Sequence, residues 1–148
     1  MTAFEIEPIG PFSLAAAQDF AGGFTAGIGG GGVEGASIVM SFPVEARNGS
    51  AAVELHQEAS GRIVGRTDAE ADALPTVIRQ ASRSLSLDHD GSGWPTVGER
   101  DPVIGRAQET YHHLRPVCFY SAYEAATSFV IGQRISMRQS ARIKERLR

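Results

Sequence analysis

Apolar and polar residues alternate in short runs through the first half of this chain. Phe4 and Ile6 alternate with Glu5 and Glu7, which predicts a short edge strand. Ala36, Ile38, Met40, Phe42 and Val44 alternate over a longer one, and Asn48-Gly49, a strong hairpin dipeptide, follows. Val53 and Leu55 alternate with Glu54 and His56 on the return strand. Ser60-Gly61 then turns the chain into Arg62–Thr67. The pattern predicts an antiparallel meander with one buried face. Ser13–Phe20 reads as a short helix, and Ala21–Gly35 as a glycine-rich loop.

The period then changes from two to 3.6. Leu74, Val77, Ile78, Ala81 and Leu85 mark an amphipathic helix able to cover the sheet, with Pro75 in its first turn, where a missing N–H is harmless. Asp88–Gly98 reads as loop. Asp101-Pro102 is an N-cap followed by proline at the first helical position, and Val103, Ala107 and Tyr111 form that helix's apolar side. Ser121 and Glu124 have capping-box spacing. Tyr123, Ala126, Thr127, Val130 and Ile131 recur behind them as an apolar face, and Gly132 stands where a left-handed terminal glycine is expected. Ser136 and Gln139 repeat the capping box, with Ser140, Ile143 and Leu147 as the next inner stripe. The order predicts an α+β unit over residues 1–98, an N-terminal antiparallel sheet with covering helices, followed by a helical unit over 99–148.

Charge divides the chain at the same place. The net charge is −3 over 148 residues, but residues 1–98 carry twelve acidic and five basic side chains, whereas 99–148 carry five and nine. That split points to an anionic partner for the second half. Arg134, Arg138, Arg142 and Arg146 recur every four residues. Like charges at that spacing cost a helix about 0.2–0.5 kcal/mol per pair, a cost that phosphates would relieve. A solvated arginine face accounts for the same residues without a ligand. The single cysteine, Cys118, excludes an internal disulfide and fits a reducing cytoplasm. Neither a signal peptide nor a stretch of membrane-spanning length is indicated.

Three motifs imitate sites. Residues 27–32 contain G-x-G-x-x-G, but in low-complexity glycine ahead of a strand, where a dinucleotide fingerprint must follow a strand and open a helix. Asp88, Asp90, Ser92, Gly93 and Glu99 fit calcium-loop spacing, but Pro95 stands where an aliphatic residue should, and an Asp/Gly/Ser turn explains them equally. Calcium remains the third functional reading. His112 and His113, as neighbours on a helix, would point about 100° apart and share no metal. No cofactor is implied.

Three runs carry a family likeness: Gly98–Gly105, Leu114–Glu124 and Val130–Ser136, the last reading V-I-G-Q-R-I-S. In register, and behind a sheet unit, they resemble the 3-methyladenine DNA glycosylase II family of the helix-hairpin-helix glycosylase superfamily. The likeness covers residues 36–148 well and the first 35 loosely. It implies double-stranded DNA as partner, and removal of alkylated bases by cleavage of the N-glycosidic bond of a flipped nucleotide. It also implies a DNA-contacting corner at Gln133, Arg134, Ile135 and Ser136, with Arg138 and Arg142 on the helix behind. In the family the turn after Gly-Gln supplies the wedge that fills the gap left by flipping, and here Arg134 holds that place, where apolar residues are common. Ser136 opens a helix whose N-terminus suits a phosphate.

The family pattern continues with a Leu-Pro-Gly-x-Gly hairpin and a catalytic aspartate. This sequence contains no Pro-Gly, Leu74-Pro75 leads into Thr76, and no aspartate follows Asp101. No catalytic residue carries over. The resemblance therefore implies the opening portion of a glycosylase, truncated, without turnover alone, and with apolar helix faces open to self-association. The alternative is a non-catalytic DNA-binding or protein-interaction fragment.

Overall fold

The computed structural model describes residues 1–24, 28–30 and 36–146. Its five-stranded antiparallel sheet has the order β1 (Thr2–Ile6), β5 (Ile63–Thr67), β4 (Ser50–Gln57), β3 (Ser37–Pro43), β2 (Ile28–Gly30). The predicted alternation sets the register. Phe4, Gly65, Leu55 and Ile38 stand in one cross-strand row, with Thr67, Val53 and Met40 in another. These side chains are buried, while Glu54, His56 and Arg66 on the opposite face are exposed. Gly65 lets the Phe4 ring lie directly over it, because a Cβ would collide with the ring and force it to move.

Two helices close the inner face. From α1 (Leu14–Phe24) come Leu14, Ala17 and Ala21. From α2 (Leu74–Ser84) come Val77 and Ala81, with Leu85 beyond its end. Gln80 and Ser84 on α2 are also fully buried, which apolar periodicity does not signal. They are satisfied: Gln80 Oε1 accepts from Glu45 N–H at 2.9 Å, Gln80 Nε2 donates to the Pro43 and Tyr120 backbone carbonyls, and Ser84 Oγ donates to the Gln80 backbone carbonyl.

The α+β class is as the sequence predicts, with differences in detail. The glycine-rich stretch is not wholly loop. α1 runs on to Phe24, and Ile28–Gly30 pairs with β3 as an edge strand. Of the G-x-G-x-x-G match, only these three residues are described, and they are strand rather than a phosphate-binding turn. The Asn48-Gly49 hairpin is wider than a two-residue turn. Pro43 pairs with Ser50 across a six-residue connection, and Ala46 takes the left-handed conformation. Within Asp88–Gly98, Pro95 opens a short helix, α3 (Pro95–Arg100), ahead of α4 (Pro102–Thr110). Asp101 caps α4 as expected, accepting from the Val103 and Ile104 amides. The apolar side predicted for α4 is not buried, with Val103 and Tyr111 both exposed.

Arg115–Tyr120 then docks on the sheet unit. Cys118 N–H donates to the Ser84 carbonyl at 2.7 Å, Ser86 Oγ to Pro116, and the Tyr120 ring stacks on Phe42. Arg115 is buried and forms no ion pair among the described residues. Its guanidinium donates to four backbone carbonyls, those of Ile9, Pro11, Ser86 and His89. Burial pulls its pKa down, and the nearby Asp90 charge opposes this. Beyond Ser121 lie α5 (Ala122–Gly132) and α6 (Met137–Arg146), where no described residue is buried.

Candidate nucleic-acid interface

Each helix of the closing pair is capped by its own sequence. Ser121 Oγ accepts from Glu124 N–H at 3.1 Å, and the Glu124 carboxylate reaches back one residue further than a capping box requires, to Tyr120 N–H. At α6 the box is complete. Ser136 N–H donates to Gln139 Oε1 at 2.9 Å, and Gln139 N–H donates to Ser136 Oγ. The amides of Met137 and Arg138, first and second in α6, have no intrahelical partner.

The turn between them differs from expectation in one respect. Gly132 is not left-handed; it ends α5 with helical backbone, and Gln133 is the cap, at φ −65° and ψ 125°. The left-handed residue is Arg134, at φ 57°. For a residue with a Cβ that conformation costs about 1–2 kcal/mol. Gly132 is thus free to be replaced. A Cβ there would meet only Ser140 Oγ at 3.9 Å. Gly132→Ala is expected to stabilise the protein by about 0.4–1 kcal/mol in urea denaturation; a loss would show that the glycine has a role this geometry does not reveal.

The sequence-predicted contact residues lie on one continuous corner. Gln133 caps α5, Arg134 forms the tip, Ile135 is half-buried, Ser136 caps α6, Arg138 sits in its first turn, and Arg142 lies one turn on. All but Ile135 are exposed. None of Arg134, Arg138 and Arg142 forms an ion pair among the described residues. Three features oppose local stability here: a left-handed arginine, like charges at four-residue spacing, and Arg138 at the positive end of the α6 dipole. An anion would offset the last two. The left-handed Arg134 is the feature the sequence did not signal, because glycine and asparagine announce that conformation and arginine does not.

The apolar stripe predicted along α5 faces outward. Tyr123 and Val130 are 80% and 72% exposed, and Met137 follows at 69%. The calcium spacing does not form a ligand loop, since its second half is helix α3 and Asp90 Oδ1 accepts from Ser92 N–H. Asp90 is held below the usual carboxylate range, first by hydrogen bonding with the Ser92 side chain and then by the Ser92 N–H. The histidine pair does not diverge. His112 and His113 lie past the end of α4, and their rings stack 4.1 Å apart, with His113 at φ 57°. Among the described residues no group of three His, Cys, Asp or Glu side chains could hold a metal, and no helix is long and apolar enough to cross a membrane.

The solved structure of a 3-methyladenine DNA glycosylase from Archaeoglobus fulgidus superposes on 95% of this chain with a TM-score of 0.70. The fold resembles that of a DNA glycosylase. Sequence identity is 16%, and the chain spans 47% of that structure's length. No family model and no curated protein matches the sequence. The likeness to the glycosylase is therefore one of fold.

Proposed function

We propose that this chain is the DNA-engaging portion of a base-excision glycosylase fold, and that the corner from Gln133 to Ser136, with Arg138 and Arg142, contacts duplex DNA. We place the working boundary at 98/99, with the sheet unit as scaffold and the helices as the DNA-facing unit. The observation that carries the reading is Arg134. It is a charged residue kept exposed in a left-handed conformation between two self-capped helices, where glycine would fit without strain. The glycosylase fold and the excess of basic residues in 99–148 support the same partner. We assign base excision itself to no residue of this sequence, because the hairpin and aspartate of the family pattern have no counterpart in it.

Two substitutions separate function from strain. Arg134→Gly removes the guanidinium and relieves the backbone. It is expected to weaken duplex binding while raising stability by about 0.5–1 kcal/mol, the strain relieved less the entropy lost to glycine. Arg134→Ala removes the same charge and keeps the strain, so it should weaken binding equally without the stability gain. Fluorescence anisotropy with a labelled duplex and thermal denaturation read the two effects. Unchanged duplex affinity in both variants would overturn the assignment of Arg134.

A further inference from the structure

A second concave surface lies apart from the arginine corner. α3 and α4 cross in tight contact through Gly98 and Gly105, where a Cβ on Gly105 would press on the Gly98 carbonyl at 2.9 Å. Gln108 Nε2 ties the α4 side to the Trp94 carbonyl at 2.7 Å, and Ser13 N–H ties the far wall to the His113 carbonyl at 3.0 Å. The open cleft between them has a volume of about 350 Å³. Trp94, the only tryptophan of the chain, lines it and is 45% exposed. The stacked His112 and His113 also line it, and Glu99 and Glu109 supply its carboxylates.

The charge of this cleft is unbalanced. Neither Glu99 nor Glu109 forms an ion pair among the described residues, and Arg100 and Arg106, on the same two helices, do not line it. His113 is held below the ordinary imidazole range, by partial desolvation first and by the neighbouring His112 second. An aromatic wall beside two uncompensated carboxylates attracts an organic cation through ring quadrupole and charge together. The same carboxylates repel phosphate, so the cleft is not an extension of the DNA-facing corner.

We propose that this cleft receives the cationic side chain of a lysine or arginine presented by a partner polypeptide. The partner surface is basic, and the contact is independent of the reading of the arginine corner. Trp94 is its own reporter. Titration of the 148-residue protein with a blocked tri-arginine peptide is expected to change Trp94 emission saturably and to shift its indole N–H resonance. A blocked tri-glutamate peptide should do neither. The double variant Glu99→Gln/Glu109→Gln keeps the shape and removes the charge. It should bind the tri-arginine peptide about five- to tenfold more weakly, while duplex DNA affinity is not reduced. An unresponsive Trp94, or equal peptide affinity in the double variant, would overturn the proposal.

Discussion

Replacing Arg134, Arg138 and Arg142 together with glutamine is expected to flatten the salt dependence of duplex binding. Each phosphate contact contributes close to one unit to the slope of log affinity against log salt, so the triple variant should lose about three units. At about 50 mM salt the affinity should fall on the order of a hundredfold, uniformly across DNA sequences, because phosphate contacts carry no base information. All three side chains are exposed and unpaired among the described residues, so the substitutions leave no buried group unsatisfied. Removing like charges at four-residue spacing should slightly favour α6. Loss of binding with retained stability is thus the signature of a contact surface. An unchanged slope in the triple variant would place any DNA contact elsewhere on the chain.

Arg115→Met is expected to be the most destabilising single change outside the apolar core. The native guanidinium gathers carbonyls from the chain after β1, from the end of the α2 region and from the loop beyond it. Methionine preserves much of the stem and none of the donors, leaving those carbonyls without the partner they share. Leaving a buried acceptor without its donor costs about 1–3 kcal/mol, so the carbonyls that share this guanidinium together lose on the order of 3–5 kcal/mol. For a protein of this size that corresponds to a fall in Tm of roughly 10 °C. Arg115→Lys should recover only part of the loss, since one ammonium cannot present the forked donors of guanidinium. A Tm within about 2 °C of the parent for Arg115→Met would show that water replaces the guanidinium at little cost. The effect should reach α5 and α6 as well, because Arg115–Tyr120 is the strap that joins them to the sheet.

The sheet, the second helix and both capping boxes were legible because each rests on local chemistry. Alternation at period two placed Ile38, Met40 and Phe42 inward, and a serine three residues before Glu124 or Gln139 specified where a helix starts. The proposed contact corner was named from the sequence as a run of residue types, Gln133 to Ser136 with Arg138 and Arg142, through family likeness and charge. Its conformation was not. The sequence pointed to Gly132 as the left-handed residue, and the chain places Arg134 there instead. Position 132 still completes α5, and the reversal into α6 occurs two residues later.

Sequence alone determined the class of the fold, the buried face of the main strands and the segregation of charge, because periodicity and ionisable groups act over a few residues. Only the tertiary structure decided which apolar faces are covered. The stripe from Tyr123 to Val130 and the apolar side of α4 read like core and stand open, while Gln80, Ser84 and Arg115 read like surface and are buried. Burial of a polar side chain depends on partners supplied from distant segments, such as the Pro43, Tyr120, Ile9 and Pro11 carbonyls here. No local pattern encodes where those carbonyls will be.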